Sequence, residues 1–169
     1  MVTRRPRRGF HHPADEKDIL ELLNEVGPVA LYGLRVVELA RLPDSLGGEL
    51  VLGRYCVPGR IILYEQPEPP WLLRGRISSS AARRLERAGA ILALLPDVGA
   101  TVVDWPGGTL RRFMLEEVLL HEVGHHVLQH HKGKRPARIA RAKDHEAFAA
   151  RFAERQRAAL RKSRGIREV

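Results

Sequence analysis

The chain has 169 residues, 44% hydrophobic and 29% charged, with a formal net charge of +9 at pH 7. That length supports one domain with its own core, and the single cysteine, Cys56, excludes an internal disulfide and a cysteine-rich zinc module. No run approaches the roughly 18 consecutive apolar residues of a membrane span. The arginines at the start are not followed by the apolar stretch of a secretory leader, so the sequence reads as a cytoplasmic protein without membrane contact.

In chain order, residues 1–13 read as a basic flexible tail carrying Arg4, Arg5, Arg7 and Arg8. Residues 14–162 read as a single domain and 163–169 as a second basic tail, continuing a run of arginines that begins at Arg155. Charge of this kind can hold a phosphate backbone or an acidic protein. With no nucleic-acid motif or aromatic stacking platform beside it, solubilising ends are the favoured reading.

"PADEKDILELLNEVG" predicts an amphipathic helix, with Ile19, Leu20, Leu22, Leu23 and Val26 as its apolar stripe and Gly27-Pro28 as its stop. Three β-type runs follow, "VALYGLRVVELA", "ELVLGRYCV" and "RIILYE", separated by "PDSLGG" and Pro58-Gly59; they predict a twisted antiparallel meander. The prolines of "QPEPP" restrict "WLLRG" to a short or edge strand. "SSSAARRLERAGA" carries a serine cap ahead of helix formers, and "ATVVDW" reads as a further strand. "TLRRFMLEEVLLHEVGHHVLQHH" predicts about six helical turns capped by Thr109 and ended at Gly133 and Pro136. A second long helix is predicted from Ala137 to Lys162. The fold class is α+β: an N-terminal helix, a small mainly antiparallel sheet, then two C-terminal helices.

The segment "HEVGHHVLQHH" concentrates five of the eight histidines into residues 121–131. His121, Glu122 and His125 form H-E-x-x-H, whose i, i+4 spacing stacks two imidazoles on one helical face, where both can bind one zinc ion. Glu122 is offset by about 100° around the helix, the place for a general base acting on metal-activated water. A solvated histidine patch is the bland alternative. The apolar setting "FMLEEVLLHEVGHHVL" argues against it, because it predicts a buried helix and buried histidines need partners.

A catalytic zinc site takes three protein ligands and keeps a fourth position open. His131 would complete a metzincin spacing, but Leu128 stands where that helix must break at glycine, and no methionine follows Met114 for a methionine turn. Glu146 is the better third ligand. Ala149, Ala150 and Ala153 give it a face of small side chains. An antiparallel return also brings it near the zinc, since His125 lies about 9 Å from the first helix's end and Glu146 about 14 Å into the second. His145 points about 100° away, as a transition-state donor, a neighbour of the ligands or a surface residue.

H-E-x-x-H followed by a glutamate on the next helix resembles the gluzincin zinc metallopeptidases. Within them, "HEVGHHVLQH" with "HEAFAARFA" is similar to the ImmA/IrrE type and other minimal gluzincin-like peptidases, over residues 113–153. The resemblance implies a zincin-like fold, one Zn2+ held by His121, His125 and Glu146, and Glu122 as catalytic base. Phe148 stands where that family's asparagine is usual, and no tyrosine follows Tyr64 to stabilise an oxyanion. That role falls to His145, His130, His126 or an arginine. The leading expectation is thus a peptidase acting on a protein or peptide aligned along a sheet edge, with "RIILYE" and "ATVVDW" as candidate edges. Behind it stand a regulatory protein with structural zinc and a basic nucleic-acid-binding module.

Overall fold

Asp15 opens the first helix, α1 (Glu16–Val26), by a capping box: its side chain accepts from the Asp18 backbone while the Asp18 side chain accepts from the Asp15 backbone. The structure, a computed structural model, describes residues 1–44, 51–75, 77–132 and 142–165, apart from the side chains at 131, 132, 142 and 143. Ile19, Leu22 and Leu23 of α1 are buried as the stripe requires, while Leu20 stays exposed. Gly27 ends the helix at φ 88°, a conformation that disfavours any side chain. Pro28 then begins a single turn, α2 (Pro28–Leu31). Only the end of "VALYGLRVVELA" is therefore extended.

That end is β3 (Val36–Ala40), which joins β1 (Val2–Thr3), β4 (Gly53–Cys56) and β5 (Arg60–Tyr64) in a sheet of order β1-β3-β5-β4. The antiparallel meander expected here is corrected. β3 and β5 run parallel in register Val36↔Arg60, and β4 runs antiparallel on the outside, Tyr55 opposite Ile61. Burial explains the order: β3 and β5 are mostly buried, as interior parallel strands must be, whereas β4 is half-exposed.

Two pieces of residues 1–13, read from the sequence as a tail, are paired strands. β1 pairs with β3 in this sheet, and β2 (Phe10–His11) pairs with β6 (Gln66–Pro67) in a separate two-stranded one. Two buried carboxylates receive the early arginines. Glu38 takes Arg4 at 2.8 Å and also Arg60, and Glu65 takes the Arg7 backbone N–H at 2.7 Å and its guanidinium. Burial alone would raise the Glu38 carboxyl, but the hydrogen bonds of Arg4 and Arg60 hold it below its ordinary value. Part of the N-terminal basic excess thus neutralises the sheet.

A third sheet, order β7-β9-β8, is antiparallel: β7 (Trp71–Arg74), β8 (Ile91–Leu95) and β9 (Ala100–Asp104). β7 is short and at an edge, as its prolines predict. β8 has no counterpart among the predicted strands, because "ILALL" has neither alternation nor, beyond Ile91, a β-branched residue. Between β7 and β8 lies α3 (Ser79–Arg87), capped by Ser78, whose hydroxyl accepts from the Ala81 N–H. Both candidate edges, "RIILYE" and "ATVVDW", are interior strands here. The edge nearest the histidine motif is β4.

The long helix is present but not uniform. It comprises α4 (Thr109–Phe113), a π-helical stretch Met114–Leu119, and α5 (Leu120–Lys132). Gly108 holds the cap position, and Thr109, expected there, is the first helical residue, its hydroxyl donating to the Pro106 carbonyl. The predicted stop at Gly133 and Pro136 falls outside the described residues, as does the start of the last helix, α6 (Ala142–Ser163). Phe113, Met114, Leu119, Leu120 and Val123 are buried against Ile19 and Ile61, so the central helix closes the core between α1 and the first sheet. Among the described residues, no helix is long and apolar enough to cross a membrane.

Candidate metal centre

α5 and α6 pack more closely than ordinary helices, and Gly124 permits it. A Cβ at that position would sit 2.7 Å from the Ala149 Cα and 3.0 Å from its carbonyl oxygen. Ala149 and Ala153 are buried in the contact. The small face read from the sequence therefore acts as a docking surface, setting Glu146 opposite the histidines.

The three expected ligands come together. Their donor atoms all lie within 4.8 Å of one another. His121 Nε2 is 3.1 Å from His125 Nε2 and 3.1 Å from Glu146 Oε2, and His125 Nε2 is 3.3 Å from Glu146 Oε1. Tetrahedral ligation at 2.0–2.1 Å places ligand atoms about 3.3 Å apart, so these separations suit one zinc ion. Burial lowers the pKa of both histidines; the charges of His125 and Arg84 push His121 the same way and that of His145 pushes His125, while Glu146 opposes at both. Neutral imidazoles with converging Nε2 atoms are the form that ligates a metal. Glu146 is 65% exposed while the histidines are 19% and 16% exposed, so the cluster opens to solvent on the α6 side.

Glu122 is buried beside the cluster and does not belong to it. Burial raises its carboxyl to about 7, Glu146 adds to the rise, and a backbone hydrogen bond from Tyr55 and the charge of Arg84 oppose it. A carboxyl held there can accept and release protons near neutral pH. The Tyr55 bond also brings β4 to the site, and Gly53 allows the approach: a Cβ there would be 2.8 Å from Val118 Cγ1 of the π-helical stretch. Wide turns of this type are enriched where a helix carries function.

The remaining histidines divide. His126 is fully buried on another face of α5, its Nε2 3.1 Å from the Tyr32 carbonyl. His130 is exposed and stacks edge-on with Tyr32 at 5.1 Å. Neither reaches the cluster. His145 is half-buried and close enough for its charge to act on His125. The side chain of His131 lies outside the described residues.

Sequence reasoning did not single out Arg84 of α3. Its guanidinium lies within electrostatic reach of Glu122 and Glu146, 3.3 Å from Glu117 and over the Phe113 ring. Burial lowers its pKa, Arg87 pushing the same way. Nothing in "SSSAARRLERAGA" marks one arginine from its neighbours; only the packing of α3 against the central helix does. No family model, curated protein or solved structure matches this chain.

Proposed function

We propose that the chain is a zinc-dependent metallopeptidase of zincin-like fold and gluzincin type. In this reading His121, His125 and Glu146 hold one zinc ion and Glu122 is the general base. The observation that carries it is the convergence of two imidazole nitrogens and a carboxylate at tetrahedral ligand spacing, with a separate buried carboxyl alongside. When bound, zinc polarises the scissile carbonyl and lowers the pKa of water towards about 7.

The chain's own groups supply the rest. Glu122 takes a proton from the attacking water and returns it to the leaving nitrogen, and its raised pKa suits both transfers. β4 has β5 on one side and no described strand on the other, so an extended peptide can pair along it past Glu122. Arg84 adds a positive charge within electrostatic reach of Glu122 and Glu146, where it favours negative charge that develops beside them. A site whose zinc is purely structural has no need of Glu122, which separates this reading from a regulatory zinc-bearing protein.

The test pairs metal analysis with cleavage of a mixed peptide pool by the wild type and Glu122→Gln. The amide keeps the side chain's size but cannot accept a proton. Zinc should remain near one per chain in both proteins, while hydrolysis falls by about 10² to 10⁴-fold in the variant. Equal cleavage by both overturns the mechanism. Stoichiometric zinc with no cleavage by either leaves a zinc-bearing binding protein.

A further inference from the structure

Beside the ligand cluster, between α3 and α6, lies a cleft of about 540 Å³ bounded by His121 and Glu146 and by Arg84, Arg87 and Arg157. We propose that this cleft binds a carboxylate of the substrate next to the bond that is cut, either an acidic side chain or the free C-terminus, through those three arginines. The inference rests on the peptidase reading for its role, though not for the binding itself.

Charge is the first argument. Among the residues that line the cleft, once Glu146 is committed to a metal, the three arginines stand against Glu117 and Glu154, an excess of one positive charge, with Glu122 near Arg84 and Glu116 near Arg157 just outside the lining. Glu117 is also shared: it pairs with Arg84 at 3.3 Å and with Arg157. The arginines consequently press on one another. Burial lowers Arg157, and Arg161, Arg87 and Arg84 all add to that, with Glu116 opposing. An anion placed among them relieves this repulsion.

Geometry is the second. Glu117 acts as a splint, its carboxylate holding Arg157 and Arg84 and its backbone carbonyl accepting from Arg84 at 3.4 Å. Guanidinium groups fixed in this way are pre-organised for a planar carboxylate, which accepts paired N–H bonds. The α6 wall sets Ala147, Ala150 and Ala153 among Glu146, Glu154 and Arg157, and these small side chains leave the space between the charged ones open. Because the cleft shares His121 and Glu146 with the ligand cluster, its occupant is adjacent to the reacting bond.

Matched fluorescent peptides carrying Glu or Gln, each with a free or an amidated C-terminus, are titrated against zinc-loaded Glu122→Gln by anisotropy. The same titration is run with Arg87→Gln added, since Arg87 is exposed and its loss should not threaten folding. Lys17→Gln, on the exposed face of α1, serves as the control of equal charge change. One carboxylate-bearing series should bind about tenfold or more above its amide counterpart. Preference for Glu identifies a side-chain subsite, and preference for the free terminus identifies an exopeptidase-like one. Arg87→Gln should reduce that preference to below about threefold while Lys17→Gln preserves it. Equal binding of acids and amides, no peptide binding, or equal loss of preference in both variants overturns the proposal. Cleavage by the wild type without acid preference leaves the peptidase reading standing alone, and acid preference without cleavage does the reverse.

Discussion

Helix α5 carries two histidine pairs with the same i, i+4 spacing, His121 with His125 and His126 with His130, displaced by a single turn and a fraction. Their fates differ. The first pair brings its Nε2 atoms 3.1 Å apart and faces Glu146 across the α5–α6 contact. The second pair keeps its rings 5.9 Å apart; His126 is buried beneath Tyr55 and bonds to the Tyr32 carbonyl, and His130 sits at the surface. Spacing alone nominates both pairs. What separates them is the neighbouring element: α6 supplies a carboxylate to one face, and α2 with β4 supplies a carbonyl and an aromatic ring to the other.

The sharpest way to break this contrast is one substitution on each face. His125→Ala should abolish stoichiometric zinc and with it peptide hydrolysis, because only two ligands remain. Glu146→Ala should weaken zinc by more than the roughly 10–100-fold typical of an outer hydrogen-bond partner. His126→Ala should keep the metal and lose about 2–4 kcal/mol of stability, from the cavity at a buried ring and the orphaned Tyr32 carbonyl. Zinc content and thermal unfolding measured on the same samples check all three. Metal loss in His126→Ala with retention in His125→Ala would assign the two faces the wrong way round.

Gly124 lies between the two faces and tests whether helix docking positions Glu146. A Cβ there meets backbone atoms of Ala149, which cannot swing aside as a side chain can. Gly124→Ala should cost about 1–3 kcal/mol of stability by overpacking. It should also weaken zinc binding, because α6 is pushed away with Glu146 on it. An alanine variant with unchanged zinc affinity and unfolding temperature would show that the close contact does not hold the carboxylate in place.

Much of this was legible in the sequence because it is local. The i, i+4 pair, the stop of α1 at Gly27-Pro28, the serine cap of α3, and the small face of Ala149 and Ala153 are read from spacing and residue type. The sheet was less legible. That "RIILYE" pairs with both the strand before it and the one before that depends on long-range burial, so the parallel β3–β5 pair and the β4 edge emerge only in three dimensions. The same holds for Arg84, Arg157 and Glu117, which come from three helices and share no motif. The N-terminal arginines read as a tail because their partners are distant in sequence, Glu38 inside the otherwise apolar β3 and Glu65 directly after β5.

The smallest expected effect belongs to His130, and it completes the contrast. Its ring is exposed, its Nδ1 lies 2.9 Å from where a Cβ on Gly33 would be, and it packs edge-on against Tyr32 at 5.1 Å. An edge-to-face ring contact is worth about 0.5–1.5 kcal/mol at most, and less where solvent reaches both rings. His130→Ala should therefore leave zinc at one per chain, leave hydrolysis unchanged within about twofold, and shift stability by no more than about 1 kcal/mol. Metal analysis, the peptide assay and thermal unfolding read the three quantities. A fall in zinc here would mean that the second pair takes part in ligation. The division of α5 into a ligating face and a packing face would then be wrong.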